Sequence, residues 1–93
     1  MSALRKAARG EACQVRLPGC EYGSETVSLA HIRRPWNAGV GTKPSDLHGA
    51  FACASCHAAL DRREGYLTQA EIDAAFLDAH LRTLDIWKER GLI

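Results

Sequence analysis

Four cysteines in two pairs are the residues of this chain whose types and spacing point most clearly to chemistry. Six residues separate Cys13 from Cys20, two separate Cys53 from Cys56, and 32 lie between the pairs. Each pair fits a tight turn, so four thiolates can converge tetrahedrally on one ion. The N-terminus has no apolar stretch typical of a secretory signal, so we expect the reducing cytoplasm, where cysteines favour metals over disulfides. The spacing predicts one structural zinc site.

Three other interpretations of the cysteines stay open. They are buried thiols without a ligand, a redox dithiol, and attachment of a c-type haem, because residues 53–57 read Cys-Ala-Ser-Cys-His. No thioredoxin-like βαβ pattern surrounds the CxxC, which disfavours the redox dithiol. Haem attachment needs export and usually a distal axial ligand, and the only methionine is Met1. We therefore expect zinc.

A second pair of candidate metal ligands follows the cysteines. His57 comes directly after Cys56 at the start of a predicted helix, and Asp61 lies four residues later on the same helical face. Adjacent helical residues point about 100° apart, so Cys56 and His57 can serve different sites. A histidine and an aspartate placed this way form half of a divalent metal site open to water and phosphate. Alternatively, His57 is a helix-start residue or a zinc ligand, and Asp61 pairs with Arg62 or Arg63.

His31 is the candidate general base. It ends a predicted strand over residues 26–32, on the face with the apolar pattern. A histidine there is costly unless it finds a partner, and the near-neutral reference pKa of this residue type suits proton abstraction from water. The alternative is a core histidine whose hydrogen bonds are satisfied. The other two histidines, His48 and His80, are expected at the surface.

The elements that must position these residues can be predicted from local patterns. In the first half of the chain, residues 3–9 indicate a short helix that Gly10 ends, and residues 12–17 indicate a strand before the turn Pro18-Gly19. Residues 33–46 contain two prolines and two glycines and indicate a loop.

The second half of the chain is predicted to be helical. Residues 54–63 fit one helix. Thr68 and Glu71 form a capping box, which predicts a helix of about 20 residues from there to Gly91. The stripe expected to face the core consists of Leu77, Leu81, Leu84 and Trp87.

Composition limits the classes of protein to consider. The chain has 93 residues, 46% of them hydrophobic and 25% charged, which is typical of one globular domain over 1–93. A domain this small often needs a metal or another staple. No apolar run approaches the roughly 18 residues of a membrane span. The net charge is +1, so any contact with DNA is expected to be local.

The order of these motifs resembles a known enzyme family. A strand ending in Ala30-His31-Ile32, a loop, and the sequence at 53–57 opening a helix are similar to an HNH (ββα-metal) endonuclease with a zinc staple. Five segments also resemble prophage nucleases of the YbcO family and, more distantly, a phage recombination-enhancement nuclease that acts with a recombinase filament. These segments are LRKAARG (4–10), CQVRLPG (13–19), LAHIR (29–33), GTKPSDL (41–47) and ACASCH (52–57).

The resemblance implies a fold and a set of roles. The fold would be α+β, a small zinc-stapled ββα-metal domain with a short N-terminal helix and a long C-terminal helix. His31 would be the general base, and Asp46 would stand near the place of the middle asparagine that braces loop and base. His57 would hold a catalytic Mg²⁺ or Mn²⁺, and Asp61 falls where some HNH enzymes carry a further ligand.

The implied function is metal-dependent cleavage of DNA by a prophage-encoded endonuclease linked to recombination. Arg33, Arg34 and Lys43 would contact phosphates, or else form a solvated loop, and Trp36 would stack on a base or anchor the loop. The alternative function is a zinc-ribbon module that binds DNA or a recombination protein without cutting. The weak net charge favours this alternative, as does Ala30, which stands where many HNH enzymes have another metal ligand.

Overall fold

The computed structural model describes residues 2–23, 25–38, 44–61 and 67–93. Within these ranges the architecture is α+β, as predicted, with helices around a two-stranded antiparallel sheet. A single 3-10 turn over Asp46–His48 precedes the second strand. The elements in chain order are α1 (Ala3–Lys6), β1 (Ser28–His31), β2 (Gly49–Ala52), α2 (Ala54–Leu60) and α3 (Gln69–Glu89).

The sheet pairs β1 with β2, which the sequence analysis did not predict as a strand. The register places Ser28 opposite Ala52 and His31 opposite Gly49. A Cβ at Gly49 would lie 2.6 Å from Leu29 Cδ1 and 3.1 Å from Ala30 O, so a larger residue would force the buried Leu29 side chain or the strands to shift. Gly49 therefore lets the strands approach closely where His31 ends β1.

The predicted strand over residues 12–17 is wrong. This segment makes one backbone hydrogen bond to the sheet, from Gln14 N to Phe51 O at 2.9 Å. Arg16 has a φ of 58°, in the left-handed region that interrupts an extended strand. The left-handed residue turns the chain so that Cys13 lies with the other cysteines. Residues 12–17 therefore cover the edge of β2 but do not add a third strand to the sheet.

Helix α3 begins as predicted, with the capping box between Thr68 and Glu71 present. The predicted core stripe is confirmed at Trp87, which is buried, and at Leu84, which packs against the core, but it is wrong at Leu77 and Leu81, which are 57% and 51% exposed. The face that packs on the sheet instead uses smaller residues as well as aromatic ones. Its buried residues are Ile72, Phe76, Ala79, Thr83 and Trp87.

Thr83 explains why the buried face of α3 includes a polar side chain. Its hydroxyl accepts a hydrogen bond from Phe51 N at 3.1 Å and donates one to Ala79 O at 2.8 Å. The hydroxyl thus satisfies an amide of β2 that no third strand pairs in the described sheet, and it fixes α3 against the strand. Among the described helices, none is long and apolar enough to cross a membrane.

Candidate functional site

The four cysteines meet at one point between the N-terminal segment and the start of α2. Their Sγ atoms all lie within 4.8 Å of one another, and Cys20 Sγ is 3.9 Å from Cys53 Sγ. Tetrahedral Zn²⁺ with bonds of about 2.3 Å places its sulfur ligands roughly 3.8 Å apart. The cluster, which consists of Cys13, Cys20, Cys53 and Cys56, therefore has the donor type and size to hold one metal ion such as zinc.

Backbone amides around the cluster point at the sulfur atoms. Cys53 Sγ accepts from two amides, Cys56 N at 3.4 Å and Glu21 N at 3.5 Å. Cys20 Sγ accepts from Tyr22 N at 3.4 Å. Tyr22 has a φ of 55°, so its turn is left-handed. Cys53 is also the N-cap residue of α2, which explains why its sulfur accepts from the first turn. These amides favour anionic sulfur.

Two opposing effects set the pKa values of the thiols: burial raises them, and hydrogen bonds from backbone amides lower them. Burial opposes ionisation of Cys13, but amides including those of Arg16 and Cys53 donate to it and lower its pKa to about 7. Burial raises the pKa of Cys56 well above the usual thiol value. Four neighbouring thiols, three of them buried, cannot all ionise unless a cation offsets the charge, which is what a bound metal supplies.

A second cluster joins His31 to Asp46 at the end of the sheet where the loop between β1 and β2 begins and ends. His31 Nε2 lies 2.7 Å from Asp46 Oδ1, and this pair connects two residues that the sequence analysis assigned to one site. Arg5 Nη2 also donates to Asp46 Oδ1, at 3.1 Å, and the Ser2 hydroxyl donates to Asp46 Oδ2. Asp46 is thus held by three donors, two of them from the N-terminal segment.

The second nitrogen of His31 is oriented by this contact. The side chain of His31 is 15% exposed, and its Nδ1 forms no hydrogen bond with another residue in the described part of the chain. The His31 side chain also lines the cleft described below. A carboxylate on one ring nitrogen fixes the tautomer and leaves the other nitrogen as the proton acceptor.

The donors around Asp46 keep it ionised. The hydrogen bond from Ser2, then those with His31 and Arg5, lower the pKa of Asp46 from 3.8 to about 2. A carboxyl whose pKa is lowered on folding stabilises the protein above its unfolded pKa, and this contribution is lost as pH falls towards the folded value. At any working pH His31 therefore faces an anion.

We expect Asp46→Asn to reduce stability by about 1–2 kcal/mol near neutral pH, because hydrogen bonds to a charged group are lost. The difference in urea midpoint between wild type and variant should stay constant above about pH 4.5 and shrink as pH falls from about 4 towards 2. Using the difference cancels changes at the cysteines, which both proteins share. A difference that is the same at pH 3 as at pH 7 would show that Asp46 is not the titrating group.

A cleft of about 430 Å³ lies between the end of β1 and the start of α3. His31, Arg33, Arg34 and Asp61 all line it, with Asp73 on the opposite wall. The structure therefore brings the candidate base, two candidate phosphate-binding arginines and one candidate metal ligand around one space. Lys43 lies outside the described residues.

His57 and Asp61 lie together beside this cleft. His57 Nε2 is 3.9 Å from Asp61 Oδ2, one helical turn apart, and their side chains are 36% and 47% exposed. Two atoms bound to one Mg²⁺ with bonds of about 2.1 Å are no more than roughly 4.2 Å apart. The pair fits a cation that takes its other ligands from water or phosphate.

The loop after β1 is braced by a residue that the sequence analysis did not single out. Asn37 is 7% exposed and accepts a hydrogen bond from Arg34 N at 2.6 Å. Its amide nitrogen lies 3.0 Å from Ile32 O and 3.2 Å from His48 Nδ1. An asparagine in a loop carries no sequence signal that separates this role from a solvated one.

The two candidate phosphate-binding arginines and the two remaining histidines differ in exposure and in their hydrogen-bond partners. Arg33 is exposed, but Arg34 forms an ion pair with Asp73 at 3.1 Å. The expectation that His48 and His80 are surface residues is wrong, because both are half-buried and hydrogen-bonded. His80 Nδ1 lies 2.7 Å from the carbonyl oxygen of Gly49, the first residue of β2.

Comparison with known proteins gives full-length matches. Residues 2–92 match the profile of a family described as "Putative nuclease YbcO". Relatives with that description from Escherichia coli strain K12 and Enterobacteria phage 82 are each 46% identical over 94 aligned positions, covering 100% of this chain and 98% of the relative. A solved structure, "Structure of a putative bacteriophage protein from Escherichia coli str. K-12 substr. MG1655", has a TM-score of 0.80 and 42% identity, and covers 96% of this chain and 100% of that chain.

Proposed function

The chain belongs to the YbcO family, and from this premise we propose that it is a metal-dependent DNA endonuclease of the HNH type. The observation that carries the proposal is the contact between His31 and Asp46, 2.7 Å long, at a cleft that Asp61 also lines. A carboxylate-bound histidine that lines the same cleft as a candidate metal ligand is suited to metal-assisted hydrolysis of a phosphodiester.

The order of elements supports the HNH type. Strand β1, a loop that ends in the 3-10 turn, strand β2 and helix α2 follow in this order, which is a ββα arrangement. His31 is the last residue of β1, and His57 lies in α2. These positions, at the end of a strand and within α2, support the proposal that His31 is the base and His57 a metal ligand, as in the HNH pattern.

In the proposed mechanism His31 removes a proton from the attacking water through Nδ1. Asp46 accepts a hydrogen bond from Nε2, which orients the ring and stabilises the positive charge that develops on it. Arg5 and Ser2 hold the carboxylate in place. We propose catalytic roles for His31 and Asp46 on this basis.

His57 and Asp61 would hold the catalytic Mg²⁺ or Mn²⁺, since their 3.9 Å separation and N and O donors fit such an ion. When bound, this cation would stabilise negative charge on the scissile phosphate and the leaving 3′ oxygen. Asp61 lines the cleft itself, and His57 lies one helical turn earlier, beside it. The four cysteines would hold a separate, structural Zn²⁺.

The experiment that tests this function is nicking of supercoiled plasmid by the zinc-loaded protein with added Mg²⁺ or Mn²⁺. We expect open-circular product with 3′-hydroxyl ends, and we would repeat the assay with a recombinase filament because the resemblance links the family to recombination. Full binding of DNA with no cleavage under any of these conditions would contradict the enzyme and favour a binding module.

That second candidate, a zinc module that binds DNA or a recombination protein without cutting, is favoured by two observations. Ala30 offers no ligand beside the proposed base. Apart from the cysteines, the described residues contain no group of three metal ligands in close contact. Under this hypothesis His31 and Asp46 would only brace the end of the hairpin.

We propose that Arg33, Arg34 and Lys43 contact DNA phosphates, and we expect Arg33→Gln to flatten the salt dependence of DNA binding. The slope of log K against log salt should fall by about one unit, equally for different sequences, because one phosphate contact is lost. The measurement is a fluorescence-anisotropy titration at several salt concentrations.

Lys88→Gln is the matched control for Arg33→Gln. It removes the same charge from the last turn of α3, about 20 Å along the helix from Asp73. Arg34→Gln should have a smaller effect than Arg33→Gln, because the ion pair with Asp73 already neutralises part of its charge. Equal slopes for Arg33→Gln and Lys88→Gln would remove Arg33 from the interface.

A further inference from the structure

The most exposed large apolar side chain in the described part of the chain is Trp36. It is 73% exposed, whereas the other tryptophan, Trp87, is completely buried. Exposure of an indole ring is unfavourable by itself, because the ring carries a large apolar surface. A surface tryptophan beside a proposed nucleic-acid cleft therefore calls for a functional explanation.

The loop that carries Trp36 is held in place. The indole contacts the ring of His48 edge to face, with centroids 5.4 Å apart and planes at 71°. His48 Nδ1 lies 3.2 Å from Nδ2 of the buried Asn37, whose Oδ1 accepts a hydrogen bond from Arg34 N. An edge-to-face contact covers at most one face of the indole, so the ring is positioned while most of its surface stays available.

The surroundings of Trp36 are suited to a nucleotide. Arg33 and Arg34 line the cleft that contains His31. The same two arginines, with Pro35 and Ala38, also line a shallow depression of about 390 Å³ on the loop. Two cations for a phosphate and an aromatic ring for a nucleobase therefore lie within four residues of one loop, which begins next to the proposed general base His31.

We propose that Trp36 stacks on an unpaired nucleobase, so that the preferred substrate is DNA with a single-stranded or locally unpaired segment. This inference rests on the proposed function. Bases within a duplex are covered on both faces by their neighbours, and only an unpaired base can offer a face to a fixed aromatic ring. The arginines supply charge complementarity that a neutral protein partner would not use.

The test compares the affinities of wild type, Trp36→Ala and Trp36→Phe for a labelled single-stranded oligonucleotide and for the duplex of the same sequence. Titrations are done without added divalent cations, so that nothing is cleaved. We expect Trp36→Ala to lose roughly 5- to 100-fold in affinity for the single strand, with at most a few-fold loss for the duplex. Trp36→Phe should keep most of the affinity, because it keeps an aromatic face.

Two further readouts make the result decisive. Single-stranded DNA should quench the fluorescence of Trp36 in wild type, and Trp36→Phe should abolish this quenching because Trp87 is buried. Leu81→Ala, which removes another exposed apolar side chain, should change neither affinity. Melting temperatures of all variants identify any loss of loop or fold.

Equal losses on single strand and duplex, or no loss on either, would overturn the proposal, and the second result would leave a protein partner as the occupant of Trp36. Failure of the nuclease itself is a separate observation. If wild type does not nick plasmid but Trp36→Ala loses single-strand preference, the stacking site holds and only the proposed catalysis fails.

Discussion

Replacing Cys13 or Cys53 by serine should remove the metal and the folded structure together. Structural zinc contributes about 10 kcal/mol or more to the folding of small zinc domains, which is as large as the whole stability of a typical domain. The four sulfur atoms, all within 4.8 Å, share one position for an ion, so a missing thiolate leaves three ligands and a buried, incompletely compensated charge. Zinc content by mass spectrometry and far-ultraviolet circular dichroism on the same sample measure both effects.

Ser55→Ala is the matched control for the cysteine variants. Ser55 lies between Cys53 and Cys56 on the same turn, and its backbone amide, which bonds to Glu21 Oε1 at 3.2 Å, is retained in the variant. The control should keep one zinc per chain and the wild-type melting temperature. A purified wild-type protein that is folded without metal, or Cys13→Ser with unchanged zinc and stability, would contradict the zinc site.

His31→Ala should reduce DNA cleavage by about 10²–10⁴-fold while DNA affinity stays near the wild-type value, since this is the usual contribution of a general base. The zinc site should be unaffected, because His31 contacts Asp46 and is not a member of the cysteine cluster. The initial rate of plasmid nicking, measured over a range of Mg²⁺ and Mn²⁺ concentrations, gives the effect.

His57→Ala provides the contrast that separates a base from a metal ligand. Loss of a ligand weakens metal binding, so higher Mg²⁺ or Mn²⁺ should partly restore its rate. No metal concentration should restore His31→Ala, because the missing group is the proton acceptor. Similar recovery of both variants at high metal would place His31 among the ligands instead.

The cysteine cluster and the long helix were predictable because each depends on local sequence. A CxxC turn and a Thr-Glu capping box are set by spacings of two and three residues, and both are present in the structure. The start of α2 directly after Cys53 was predictable for the same reason. Local patterns of this kind are independent of how the rest of the chain packs.

The partner of β1 could not be identified in this way. The strand β2 reads Gly-Ala-Phe-Ala, without the β-branched residues and alternation that indicate a strand. The strand is fully buried, and its small side chains allow β1 and α3 to pack closely against it. Residues 12–17 look more like a strand but serve the cysteine cluster instead.

The buried face of α3 and the N-terminal contacts of Asp46 depend on tertiary structure. The leucines at 77 and 81 form a regular apolar pattern, yet the helix turns Ala79 and Thr83 to the sheet because the sheet must be approached closely. Ser2 and Arg5 reach Asp46 across more than 40 residues of sequence. No periodicity or motif encodes contacts at that separation.

The central claim, that His31 is the base of a DNA-cleaving site, is tested most directly by the plasmid-nicking rates of wild type and His31→Ala. Both proteins should be zinc-loaded, and zinc content, melting temperature and DNA affinity should be recorded on the same preparations. The account predicts that wild type nicks DNA with added divalent metal and that the variant is slower by about 10²-fold or more, with zinc content and DNA affinity unchanged and the melting temperature lowered only by loss of the hydrogen bond to Asp46. Equal nicking rates for the two proteins would contradict it.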